Sequence, residues 1–508
     1  MSVISQYRWR MSIGMTVTLS ALILALVFLL SAKTLTFAAV TIVQISSDPY
    51  TNSTSQHQTM VEPDTYSFGS TIVSAIQSGR FTNGGASNIG WATSTNGGGS
   101  WTNGFLPGTT VFATPAGSYN AISDPTVAYD AAHTTWMIAS LAVTTSGSSV
   151  LGAAVLVSQS TNGGTTWSNP VVVHAATGSE SLDKDWIVCD TTSTSAYYGH
   201  CYVEWDNNGG GNRIHMSTSA DGGTTWGTQQ STANNANGIG GQPLVQPNGT
   251  VIVPIDNANE TSVLAFTSTN GGTSWSSTVT VATISSHTDA GGIRSGPLPT
   301  AEIDGAGKVF VVWADCRFES RCRANDMVMS TSSNGTTWSA VTRIPADAVG
   351  SGVDHFIPGL AVDKSTSGST AHLVLAFYYY PVSSCNSSTC QLDIGYSSST
   401  DGGGHWTSTT NITGPMTLSW LANTTQGRMV GDYISTSFNS SGTAFPVFAD
   451  ASTPTGGTSC GATGVTCNEG TFTVGTGLTI PSRLFAVTHD PVVAGSDHPA
   501  ALGPLTSR

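Results

Sequence analysis

Charge is what this chain has least of. Only 9% of its 508 residues are Asp, Glu, Lys or Arg, against about 25% in a typical soluble domain. Cations are the scarcest: 16 Lys and Arg stand against 30 Asp and Glu, for a formal net charge of −14. That balance argues against nucleic acid as a partner, because neutralising phosphates takes clustered Lys and Arg. No Cys-x-x-Cys spacing occurs, which argues against a structural zinc site. No EF-hand spacing occurs either, and no cofactor is expected. Asp-rich stretches near Asp183 and Asp206 leave structural Ca²⁺ open. Helical periodicity is missing beyond the N-terminal segment, and no linker marks a second domain. The chain is still not a disordered one: 39% of it is hydrophobic, and its length allows a large core.

Gly, Ser, Thr and Asn fill the space that charge leaves, a composition suited to an extracellular all-β protein. Arg8 and Arg10 precede an apolar run over residues 13–30. This reads as a secretion signal with a cleavage site near Ala38 or Ala39. An uncleaved membrane anchor is the competing reading, since the run is long. Residues 1–38 are thus a leader or anchor, and 39–508 one domain outside the cytoplasm. The eight cysteines fall into close pairs, Cys189 with Cys201, Cys316 with Cys322, Cys385 with Cys390 and Cys460 with Cys467. Four local disulfides are expected in an exported chain.

One phrase recurs six times, at residues 94–101, 160–167, 219–226, 268–275, 331–338 and 399–406. It reads Ser-x-Asp/Asn-x-Gly-x-Thr-Trp. An Asp or Asn can hold a tight turn by accepting from backbone amides just ahead of it. Gly accepts positive φ without steric cost, and Trp supplies a large ring to bury. The expectation is six buried, structural tryptophans: Trp101, Trp167, Trp226, Trp275, Trp338 and Trp406. In the fifth copy Ser333 stands where the Asp or Asn is expected.

Repetition at this scale signals a repeat architecture. The phrase resembles the Asp-box, or BNR repeat, of sialidases and related β-propellers, and the resemblance covers residues 60–490. Between boxes, apolar runs such as 124–129, 136–143 and 153–157, followed by Trp167, give four strands per unit. Four strands make one propeller blade. Seven units are counted, the seventh without a box and built on 428–438, 444–449 and 483–487, with 40–45 closing the ring. Six blades, as in sialidases, plus an accessory sheet is the alternative.

Strands of a blade are lettered A to D from the axis outward. The boxes then lie on C–D turns, and the scarce charges fall at A-strand starts and B-strand ends, on the opposite face. Charges belong in loops anyway, so any one of them has a structural reading. Together, carboxylates, arginines and tyrosines at a concave mouth fit a polar-ligand site. The sialidase resemblance implies an exo-α-sialidase-like hydrolase acting on terminal acidic sugars. It implies three arginines on the sugar carboxylate, and a tyrosine nucleophile activated by a glutamate beside an aspartate acid/base. On this chain those roles point to Arg294, Arg317 and Arg428 with Arg80 as substitute, Tyr433 with Glu204, and Asp124 or Asp185. The family's Phe-Arg-Ile-Pro motif is absent from its usual place near the start of the catalytic domain. His355 and Tyr379 are further ligand candidates. Two other readings stay open. One is a non-catalytic glycan-binding propeller using Tyr378–Tyr380, and the other is a lyase or different glycosidase using His355 with Tyr433. The expected partner is a glycan, and the expected assembly a monomer.

Overall fold

The computed structural model describes residues 40–146 and 149–480. The leader or anchor at 1–38 and the run at 483–487 lie outside the described residues. Among the described residues no helix is long and apolar enough to cross a membrane.

The architecture is an all-β propeller of antiparallel strand groups. Unit one is Met60–Phe68, Thr71–Arg80, Ala86–Ser94 and Thr102–Phe105. Unit two is Ala121–Asp130, Thr135–Ser146, Ser149–Ser160 and Val171–Ala175. Unit three has Leu182–Cys189, Cys201–Asn207 and Arg213–Ser219, with isolated bridges Met216–Gln230 and Arg213–Asn237 in the fourth place. Unit four is Leu244–Val245, Val251–Asn257, Ser262–Ser268 and Val279–Thr283. Unit five is Thr300–Ile303, Val309–Asp315, Asp326–Ser332 and Thr342–Arg343. Unit six is His355–Val362, Leu373–Tyr379, Gln391–Ser399 and Thr410–Thr417. The last group is Ser435–Phe438, Thr443–Ala451 and Glu469–Val474, completed by Ile42–Gln44 paired antiparallel to Glu469–Val474. Its third strand is therefore 469–474 and not the expected 483–487, because the long loop before it carries the Cys460–Cys467 turn.

Each A strand touches the next along the chain, and the last touches the first. Side chains bond across these seams. Asp64 accepts from the Val127 amide at 2.6 Å, the Thr126 hydroxyl from the Ile187 amide at 3.2 Å, and the Gln242 carbonyl from the Ala301 amide at 2.8 Å. Alternating β-branched and aromatic residues bury the spaces between units. Phe310, Val312, Leu373, Leu375 and Phe377 make one such cluster across units five and six.

The repeated phrase folds alike in each copy. In unit two the Ser160 hydroxyl bonds Asn162 Oδ1 and accepts from the Gly164 amide, while Asn162 accepts from the Thr166 amide. The fifth copy is not degraded, as its sequence suggested, but one residue shorter. Ser332 and Asn334 make the same bonds, to the Gly335 and Thr337 amides. The second glycine is required for contact as well as for turn geometry. A Cβ on Gly164 would stand 2.9 Å from Val73 of unit one, and one on Gly98 would stand 2.2 Å from Phe445 of the last group. The boxes thus press each unit onto its predecessor. Of the six box tryptophans, only Trp275 is fully buried, at 4% exposure. The other five are half-buried, because the ring lies over its own turn. Trp167, Trp226, Trp338 and Trp406 donate their indole N–H to the carbonyl of the box glycine three residues back.

All four expected disulfides form. Three close B–C loops, and Cys189–Cys201 joins facing residues of an A and a B strand.

Candidate functional site

The site is built by irregularities in the A strands. Pairing slips between Val61 and Asp64, Ser123 and Thr126, and Asp183 and Trp186. Inside these bulges Glu62, Asp124 and Lys184 have φ of 54°, 48° and 48°. Non-glycine residues seldom adopt this region, and bulges often re-aim a side chain at a functional site. Asp124 therefore sits within its strand, Ala121–Asp130, and not at the strand's opening as expected.

The three re-aimed side chains meet. Lys184 Nζ lies 3.3 Å from Glu62 and 3.5 Å from Asp124, and it also pairs with Asp432. Asp432 in turn pairs with Arg294. Burial would raise the Asp432 carboxyl, but the Arg294 and Lys184 charges hold it far below its ordinary value. Burial pushes Glu62 up to about 7, helped by Asp124 and Asp432 and opposed by Lys184.

Above this cluster is a cavity of about 210 Å³. Its wall includes Arg80, Asp124, Asp183, Lys184 and Arg294, with the 82–85 and 424–426 loops. The placement matches the end of the axis away from the boxes. Arg80 donates Nη1 to the Phe81 and Gly85 carbonyls. Burial, and then the neighbouring Arg294 charge, draw its guanidinium down to about 10. Arg80 and Arg294 thus line the same cavity, together with Asp124 and Asp183. Asp183 is pushed up to about 6 by burial and by Asp124. One of its oxygens is held by the Lys184 amide at 3.1 Å.

The remaining expected residues lie elsewhere. Arg317 is spent on Asp315, with contacts of 2.9 and 2.7 Å, and on the Thr283 carbonyl. Arg428 donates to the Leu421 and Cys460 carbonyls and to Ser459, holding two loops together. Among the described residues three arginines do not converge, and the pair at the mouth is Arg80 with Arg294. Tyr433 lies one layer below. Its hydroxyl donates to the Pro125 carbonyl at 3.0 Å, and its ring meets Trp186 edge-on. Burial, then Glu62 and Asp124, push this phenol well above its ordinary value. Glu204 is not its partner. That carboxyl is buried against Gly241, where a Cβ would stand 2.7 Å from Oε2. Asp185 lies below the mouth in the narrow space shared with Trp186 and Tyr433. Neither of its oxygens has a hydrogen-bond partner, and burial pushes it well above the carboxylate range. His355 is stacked on Tyr379 in unit six, with Nδ1 3.2 Å from the Asn325 carbonyl. It has no contact with Tyr433, so the lyase pair does not form. Tyr378 and Tyr380 are buried and donate to the Ala449 and Ala290 carbonyls. They cannot stack on sugars.

Glu62 and Lys184 are residues to which the sequence assigned no site role, and Asp183 was weighed only for Ca²⁺. The signal was present as Glu62-Pro63 and Asp124-Pro125, acidic residues before proline at matching points of two units. For metals, the close His/Asp groups are His287–Asp289–Asp354 and Asp326–Asp347–His355, away from Asp183 and Asp206. Arg343 already pairs with both Asp326 and Asp347, and Asp289 and Asp354 accept from Ser295 and Asn325.

A family model described as a BNR repeat-like domain matches residues 141–357. No curated protein matches the chain. Among solved structures, a leech intramolecular trans-sialidase is similar at 12% identity and a TM-score of 0.45, over 68% of this chain and 68% of that one. A Hadza microbial sialidase is similar at 15% identity and 0.43, over 63% of this chain and 64% of that one. A protein of unknown function from Dyadobacter fermentans is similar at 14% identity and 0.43, over 71% of this chain and 99% of that one.

Proposed function

We propose that this chain is a secreted, seven-bladed, sialidase-like glycoside hydrolase whose axial mouth takes a terminal acidic sugar. One observation carries the reading: Arg80 and Arg294 line the same cavity as Asp124 and Asp183. The arginines receive the sugar carboxylate through charge-assisted hydrogen bonds. Asp183, raised to about 6 by burial and by Asp124, is protonated in mildly acidic solution and there donates a proton to the leaving glycosidic oxygen. Asp124 remains for the anomeric side, as base toward water or as stabiliser of positive charge. Lys184 with Glu62 and Asp432 fixes these carboxylates in place. Tyr433, bonded to a carbonyl and one layer down, braces Lys184 and is not the nucleophile.

A second reading, a glycan-binding propeller without turnover, is favoured by the loss of Arg317 and Arg428 to structural bonds and by the burial of Tyr433. Hydrolysis of a fluorogenic sialoside separates the two. Turnover in the parent protein is expected to fall at least a hundredfold in Asp183→Asn, with binding of the free acidic sugar retained. Tyr433→Phe is expected to keep most activity. Binding with no turnover by the parent protein would establish the second reading.

A further inference from the structure

The far end of the axis holds a second cavity, of about 280 Å³, on the face that carries the Asp-boxes. It is walled by A-strand ends and A–B turns of units one, five, six and seven, at Tyr66, Phe68, Glu302, Lys364 and Phe438. It lies apart from the mouth: the two cavities share no lining residue.

The chemistry of the two ends differs. The mouth has two arginines side by side. The far end has one cation, Lys364, whose ammonium lies 5.1 Å over the Tyr66 ring, beside two carboxylates, Glu302 and Asp363. No pair of cations is present here to hold an anion. What the far end has instead is aromatic surface. Phe68 is 42% exposed, the most exposed Phe, Tyr or Trp among the described residues. It is held in place from behind: its ring lies 4.4 Å from Tyr129, which lies 4.8 Å from Trp136. Tyr66 meets the same Trp136 at 6.3 Å. An aromatic ladder thus keeps an apolar ring at the rim of the hollow.

We infer that this end is a second binding site, for a neutral saccharide, with a sugar ring stacked on Phe68. A pyranose has an apolar C–H face and a rim of hydroxyls. That is the complement of an exposed ring beside a carboxylate, an ammonium and the hydroxyls of Ser365 and Ser440. The hollow is concave and close to the lower size, about 300 Å³, of small-ligand sites. It would admit a sugar unit and not a folded partner. The inference stands apart from the reading of the mouth, and it would hold for a catalytic or a non-catalytic protein.

The test is titration calorimetry of the full chain with cellohexaose, mannohexaose and laminarihexaose. At least one should bind, and Phe68→Ala should weaken it about tenfold or more, the loss expected for removing a single stacking anchor. Phe68→Trp should restore it, because the indole offers the same face. Arg294→Gln should leave it unchanged, which distinguishes this site from the mouth. Phe68 is exposed, so the variants should fold, as unchanged melting would verify. No binding of any of the three, or binding indifferent to Phe68→Ala, would overturn the inference.

Discussion

At the residue scale, Lys184 is the group on which the mouth depends. Its side chain is 8% exposed and meets three carboxylates. Burial would lower its pKa, but Asp124, Asp432 and Glu62 raise it well above the ordinary value. Removing one partner from a buried ionic group leaves uncompensated charge. Lys184→Met should therefore cost about 3–5 kcal/mol, read from urea unfolding at neutral pH. A change below about 1 kcal/mol would contradict the placement. Titration adds a second expectation. Burial raises Glu62 and Asp64 to about 7 and Asp289 to about 8. These carboxyls bind more protons folded than unfolded, so their contribution is full at low pH and is lost as pH rises through the folded values. His215, lowered to about 4 by burial, opposes this only below its ordinary 6.5. The melting temperature should thus fall between pH 6.5 and 8.5, and a rise across that window would contradict the burial of these groups. The sequence showed which face collects charge. It did not show the Lys184–Asp432 pair, because these two, unlike Arg317 and Asp315 two positions apart, meet only when the ring closes.

At the element scale, the repeated turn was the most legible feature, and its errors were instructive. Ser333 made the fifth copy look degraded, because one glycine is missing and the register moves by one. Asn334 accepts from the Thr336 and Thr337 amides, so Asn334→Ala should cost about 1–2 kcal/mol, whereas Ser333→Ala should be near neutral. The burial of the tryptophans was overestimated, since a ring folded over its own turn keeps one face in solvent. Trp275→Ala should cost about 3–5 kcal/mol, and Trp338→Ala distinctly less, both read from denaturant midpoints. The bulges at Glu62, Asp124 and Lys184 were not legible from periodicity, and only the acidic-Pro pairs at 62–63 and 124–125 marked two of them. Apolar periodicity marks strands and carries no sign of a residue turned into the left-handed region.

At the scale of the whole molecule, strand Ile42–Gln44 completes the sheet formed by the last group. Without it, Glu469–Val474 becomes an open edge, which invites pairing between copies. Deleting residues 1–46 should lower the melting temperature and produce oligomers by light scattering. A monomer of unchanged stability would show that closure does not depend on this strand. The strand itself was readable as an apolar run at 40–45. Its partner was misplaced to 483–487 because a Gly- and Ser-rich loop of the last group hid the shorter run at 469–474.

The central claim, an anion-receiving mouth formed by Arg80 and Arg294, is tested most directly by calorimetry with N-acetylneuraminic acid and with its uncharged methyl ester. The parent protein should bind the acid at least tenfold more tightly than the ester. Arg294→Gln should abolish that preference, since each charge-assisted hydrogen bond contributes about 1.5–3 kcal/mol, while Asp432 keeps its pair with Lys184 and the fold is preserved. Equal affinity for acid and ester, or a preference that survives in Arg294→Gln, would contradict the account.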